Sequence, residues 1–176
     1  MRKTYIIILL GAVLAACNTY TPQKKATLTS EYTTCYIEQY GQAYDSVPQQ
    51  VYALDLYSDG LTLSDSARRM QGTGVNLYLS DIFLPDTLFQ PGTYRSDTTG
   101  APYTFLPGRN FDGSPTGLYL LSVADGQLSS ILVLDSGSLS VTLTPDSLYD
   151  MQFRLYYGTT TYEAHYCGSA EYYDRR

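Results

Sequence analysis

The sequence predicts an all-β protein: an antiparallel β-sandwich or flattened β-barrel of about eight to ten strands, preceded by a cleaved signal helix. Three observations carry this expectation. Short runs of apolar residues alternate with polar ones, as in Val75, Leu77 and Leu79 between Asn76, Tyr78 and Ser80. Turn pairs fall between the runs at close spacing, among them Asp59-Gly60, Pro91-Gly92 and Asp125-Gly126. Beyond the leader, no segment repeats its apolar residues with a convincing helical period.

Taken in order, Asn18 to Ser30 is polar and reads as a flexible tether. The folded domain is expected over 31–176. Cys35 shares a strand face with Thr33, Ile37 and Gln39, and Tyr52, Leu54 and Leu56 form the next alternating set. Ser64 to Met70 has the pattern of one helical turn, with Ser64 or Asp65 as its cap. Gly117 to Ala124 and Leu128 to Leu134 are more continuously apolar, which suits central strands covered on both faces. Asp125-Gly126 between them is the best hairpin signal, because a tight turn of this kind needs positive φ at both central residues. Asp112-Gly113 has the same chemistry, while Pro107-Gly108 and Ser136-Gly137 mark further breaks. Leu139, Val141 and Leu143, then Tyr149 to Tyr157, then Tyr162, Ala164 and Tyr166 complete the strand set. Alternation of this kind turns one face to a core and the other to water.

Residues 1–16 differ from the rest. Met1-Arg2-Lys3 is a basic head, Ile6 to Leu14 an apolar stretch, and Leu14-Ala15-Ala16-Cys17 a small-residue exit ending in cysteine. The stretch is too short to span a bilayer comfortably and its flanks are those of a processed leader. The segment resembles the signal peptide and lipobox of a bacterial lipoprotein. That resemblance implies cleavage before Cys17, acylation of Cys17, and a domain held to a membrane by its lipid anchor, the tether running over 17–30. A single acyl chain holds a protein only marginally, whereas the three chains usual for such lipoproteins suffice. Asn18 after the cysteine is compatible with the outer membrane of the cell envelope. Asn18-Thr19-Tyr20-Thr21 lacks the acidic patch of exported surface lipoproteins, which favours the periplasmic side.

Of the 11 basic residues, Arg2 and Lys3 leave with the leader, so 9 remain against 17 acidic ones, a net charge of −8. A chain so acidic is not expected to bind nucleic acid, which calls for clustered Lys and Arg. With Cys17 lipidated, Cys35 and Cys167 remain. In an oxidising compartment they form a candidate disulfide tying the first strand to the last; in a reducing one they stay thiols.

Small motifs recur along the domain: Val51-Tyr52-Ala53-Leu54-Asp55-Leu56-Tyr57-Ser58, Gly72-Thr73-Gly74 with Leu77-Tyr78-Leu79, Pro91-Gly92-Thr93-Tyr94, and Ser136 to Val141. Tyr149 to Leu155 and the terminal Tyr166, Gly168 and Tyr172-Tyr173-Asp174 follow. Their spacing resembles a group of Bacteroidetes outer-membrane lipoproteins. The resemblance covers nearly the whole mature domain and implies a compact, calycin-like antiparallel β fold. Its motifs are turns, core tyrosines and strand alternation, and they transfer no active site.

No catalytic set is legible. His165 is the only histidine and no serine sits in a Gly-x-Ser-x-Gly elbow. A thiol paired with His165 lacks a third orienting group. The aspartates fall mostly in turns, where they cap the backbone. No four-ligand zinc set and no Asp-x-Asp-x-Asp-Gly calcium loop is present, and Gly72-Thr73-Gly74 is not a phosphate loop. The expectation is a non-enzymatic domain with no metal and no cofactor. The compositional outlier is tyrosine, with 19 residues against no tryptophan. Tyr57, Tyr78 and Tyr156 fall opposite the apolar faces and are the candidate binding residues. An envelope protein is the expected partner and a glycan or small molecule the alternative; a carboxylate-pair hydrolase is the least supported reading.

Overall fold

The computed structural model describes residues 27–64 and 69–176. The signal segment, Cys17 and most of the tether lie outside these residues, as does the centre of the expected helical turn over 64–70. The described residues contain fifteen strands and no helix. In chain order these are β1 (Thr27–Gly41), β2 (Gln50–Ser58), β3 (Leu61–Leu63), β4 (Met70–Gly72) and β5 (Gly74–Leu84). Then come β6 (Gly92–Ser96), β7 (Thr104–Phe105), β8 (Arg109–Phe111), β9 (Ser114–Thr116) and β10 (Leu118–Ala124). The last are β11 (Gln127–Val133), β12 (Ser136–Leu143), β13 (Tyr149–Tyr157), β14 (Thr160–Gly168) and β15 (Glu171–Asp174).

Eight strands close into a barrel in the order β5-β2-β1-β14-β13-β12-β6-β7, with β7 returning to β5. A barrel, rather than a sandwich, therefore resolves the two architectures that alternation alone allowed. The ring is not purely antiparallel. β1 runs parallel to β14, from Thr27 opposite Thr161 to Tyr32 opposite Tyr166, and then parallel to β15. β6 and β7 are parallel as well. β1 begins at Thr27, four residues before the expected domain boundary, because its polar start is paired with β14.

β5 is shared between two partners. Its first half, Gly74 to Leu79, pairs with β10, while Ile82 and Phe83 pair with β7. Between them Asp81 adopts φ 56°, a left-handed conformation that aspartate tolerates better than most residues. The Ser80 hydroxyl donates to the Asp81 carboxylate at 2.6 Å and accepts from the Gly117 amide at 3.1 Å, which fixes the fork. The β10–β11 hairpin thus leaves the ring and extends the sheet as an open flap.

The barrel interior is filled by side chains. Tyr52, Tyr94, Tyr166, Phe105, Ile37, Leu54, Leu56, Leu77 and Leu79 are all below 2% exposed. Each large apolar side chain so buried contributes about 1.5–3 kcal/mol. Tyrosine serves in place of phenylalanine where a ring tip reaches a carbonyl at the barrel rim. Tyr52 donates to the Asp86 carbonyl at 3.3 Å, Tyr94 to that of Gln90, and Tyr166 to that of Ser169. Phe89 stacks on Tyr94 with centroids 5.6 Å apart and an interplanar angle of 4°.

Two expectations are corrected here. Cys35 and Cys167 are free thiols, with no disulfide between them. A register shift between Tyr32 and Thr34 rotates Cys35 into the core, 1% exposed, whereas Cys167 faces out. The first strand does neighbour β14, but the two cysteines lie on opposite sides of the wall. β11 is also not a central strand: it ends the sheet, and Gln127 to Ile131 are all exposed.

Candidate functional site

The strands β1, β2, β5, β10 and β11 form a continuous sheet whose inner side is core. Its outer side is the most distinctive surface of the molecule. Strand register sets Tyr36 opposite Asp55, Asp55 opposite Tyr78, Tyr78 opposite Tyr119, and Tyr119 opposite Val133. The neighbouring row runs Tyr57, Asn76, Leu121 and Ile131. An outward face of a half-solvated sheet is ordinarily polar. This one carries aromatic and aliphatic groups instead.

Beneath the rings lies an ordered polar floor. Tyr57 donates to one Asp55 carboxylate oxygen at 2.6 Å, and the Asn76 amide donates to the other at 2.6 Å. The same Asn76 nitrogen donates to the Leu56 carbonyl at 2.9 Å. Asn76 and Tyr57 are buried at 1% and 2% exposure, and Asp55 at 8%. Tyr36 meets Tyr57 edge-on at 5.7 Å and Tyr173 at 5.6 Å, while Tyr78 stacks on Tyr119 at 5.2 Å. Glu38, also buried, accepts from the Tyr40 hydroxyl and from Arg175, both at 2.7 Å. The β3–β4 ribbon leans on one margin, where Leu61 packs with Tyr57 and Val123.

Electrostatics keep these hydroxyls protonated. Burial, then the negative charges of Asp55 and Glu38, push Tyr119 up to about 12. Burial pushes Tyr78 up further, helped by Tyr40 and Glu38. Both tyrosines stay neutral over the physiological range. At the open margin Leu128, Ile131 and Tyr40 are 56%, 42% and 37% exposed.

The structure brings together two of the three tyrosines singled out from the sequence. Tyr57 and Tyr78 share this face on adjacent strands, with Tyr57 buried within it. Tyr156 stands apart on β13, beside Thr27, Arg154, Thr161 and Glu163. Tyr36, Tyr119, Leu128 and Ile131 were not singled out. The last three fall inside runs whose continuous apolarity hides which way each side chain points.

A second feature is an open trough of about 640 Å³ on the outer face of β6, β12, β13 and β14. Small side chains form its floor, Thr93, Ser138 and Ser140, and longer ones its walls, Gln152, Arg154, Glu163 and His165. Arg154 grips Glu163 at 2.8 Å. The His165 ring sits between carboxylates, Nδ1 3.0 Å from Glu31 and Nε2 3.0 Å from Asp150. Its burial pushes the imidazole pKa down, and the hydrogen bonds and charges of Glu31 and Asp150 outweigh that, leaving it above the ordinary value. Among the described residues no three His, Cys, Asp or Glu side chains are grouped to hold a metal ion. No family model, curated protein or solved structure matches the chain.

Proposed function

We propose that this protein is a lipid-anchored, non-enzymatic domain of the bacterial cell envelope that binds a protein partner through the outer face of β1, β2, β5, β10 and β11. The observation that carries the reading is the composition of that face. Tyrosine supplies rigid amphipathic area at low entropy cost and is enriched at protein interfaces. Here Tyr36, Tyr57, Tyr78 and Tyr119 stand over a hydrogen-bonded floor of Asp55 and Asn76, ordered before any partner arrives. Preorganisation of this kind lowers the cost of association. The filled barrel supports an external site over a ligand chamber inside. The carboxylates at the His165 trough already have partners, Glu163 with Arg154 and Glu31 and Asp150 with His165, which favours binding over hydrolysis.

The anchor on Cys17 and a position on the periplasmic side of the outer membrane belong to the same proposal and rest on residues 1–21. The test is chemical cross-linking in the native envelope followed by capture of the full chain. Wild type should retain a companion protein that a Tyr40→Ala, Tyr119→Ala double variant loses; equal recovery by both would refute the reading. A glycan ligand is the second reading, favoured by the trough, whose hydroxyl, amide and ion-paired lining suits a polyhydroxylated molecule. Shifts of the Gln152 and His165 resonances on titration with oligosaccharide would establish it, and unmoved resonances would remove it.

A further inference from the structure

The sheet that carries the tyrosine face stops at β11. Among the described residues this strand has a neighbour on one side only. Among those residues its other side has no hydrogen-bonded strand, and the β8–β9 ribbon stands off from its Ile131–Val133 end across an open pocket, which leaves backbone groups as a template for another strand. Proteins usually guard such an edge with charge or proline. From Gln127 to Leu134 there is neither, in a chain whose net charge is −6. Five successive residues, Gln127 to Ile131, are exposed.

The one irregularity of the strand determines what fits it. Ser122 pairs with Ser130 and Val123 with Leu128, so Ser129 is an extra residue, a β-bulge. Its hydroxyl donates back to the Ser122 carbonyl at 3.0 Å. The bulge changes the facing of the strand. Leu128 sits opposite Val123 and Ile131 opposite Leu121, and these two β10 residues share a face. Leu128 and Ile131 therefore project to the same side, the tyrosine side, flanking the bulge symmetrically.

That symmetry suits an isologous contact, in which one patch meets itself across a two-fold axis. We infer that β11 pairs antiparallel with β11 of a second copy of this chain, about a two-fold axis at Ser130, with the extra residue Ser129 outside the ladder in both copies. In this register Leu128 of each copy lies opposite Ile131 of the other, on the face that carries Tyr119. Ser130 lies opposite its own counterpart. No charge is brought against a like charge along the pairing, which two acidic chains require. The two tyrosine faces become one sheet surface, so the inference rests on the reading of that face as a contact surface and adds that the partner engages it as a pair.

The experiment is the mass of the full chain in detergent by light scattering after size exclusion, for wild type, Ile131→Lys and Leu128→Lys. Wild type should weigh two chains and each variant one, with unchanged circular dichroism. In a Cys167→Ser background, oxidation should join Ser130→Cys chains into a covalent dimer on a denaturing non-reducing gel and leave Asp112→Cys chains, altered on the exposed β8–β9 turn, without a covalent link. A monomeric wild type at the highest soluble concentration would overturn the inference and show that the bulge shields the edge. So would a dimer that both lysine variants keep. If the monomeric chain still captures an envelope companion through Tyr40 and Tyr119, the functional reading stands and only the pairing fails.

Discussion

His165 lies between Glu31 and Asp150, each 3.0 Å from a ring nitrogen, and through them joins β1, β13 and β14. The ring also has Glu163, Gln152 and Cys167 as neighbours on the same outer surface. Because its folded-state pKa is raised, the stability it adds is fully present below the unfolded value of 6.5 and is lost as pH rises through the folded value. Unfolding by urea should therefore show wild type more stable than His165→Gln near about pH 6, by less than about 1 kcal/mol because the site is partly solvated. The gap should narrow as pH rises through the folded value, because the imidazole then loses the charge that the carboxylates hold. A gap independent of pH would mean that the charged imidazole is not what the carboxylates hold. Asn76 acts through hydrogen bonds in a drier place. Asn76→Ala removes the donor to both Asp55 and the Leu56 carbonyl and should cost about 1–3 kcal/mol, read from the urea midpoint.

At the scale of elements, turns set the path of the chain. Asp112-Gly113 and Asp125-Gly126 have positive φ at all four residues, and each closes a tight hairpin, β8–β9 and β10–β11. These were legible in the sequence because the constraint is local: few residues other than Gly, Asn and Asp accept the conformation. The Asp59-Gly60 pair is different, since only Gly60 turns left-handed. Gly117 is a stricter case. It has φ +73°, and a Cβ built there would lie 2.2 Å from the Pro107 carbonyl oxygen. Gly117→Ala should lower stability by about 1–3 kcal/mol, measured as a fall in melting temperature, because backbone strain and close approach act together. Long-range pairing was not legible. β10 and β11 look alike in composition, yet among the described residues β10 gains β5 and β11 as neighbours while β11 gains only β10. The alternation around Cys35 hid its burial because the shift near Thr33 interrupts the period of two. Half of the tyrosine face escaped for a different reason: Tyr57 and Tyr78 alternate cleanly, whereas Tyr119 and Ile131 sit in unbroken apolar runs.

For the molecule as a whole, closure depends on joining residues from opposite ends of the described chain. The contact of Glu31 with His165 spans 134 positions. Loop-closure entropy must be overcome before such contacts add stability, so barrels of this kind fold slowly. Refolding from urea should fall in the range of about milliseconds to seconds, and Leu155→Ala, which thins the core on β13, should cost about 2–5 kcal/mol. β1 itself is a strand of 15 residues, held by β2 on one side and by β14 and then β15 on the other. It is also where the chain from the proposed anchor enters the domain, ten residues after Cys17 and so within about 35 Å of it. A pull on the membrane end would be delivered along the length of β1. Its ladders would then be loaded together in shear instead of parting one rung at a time. With β1 in the middle of the wall, force arriving from the proposed anchor would meet paired strands on both sides.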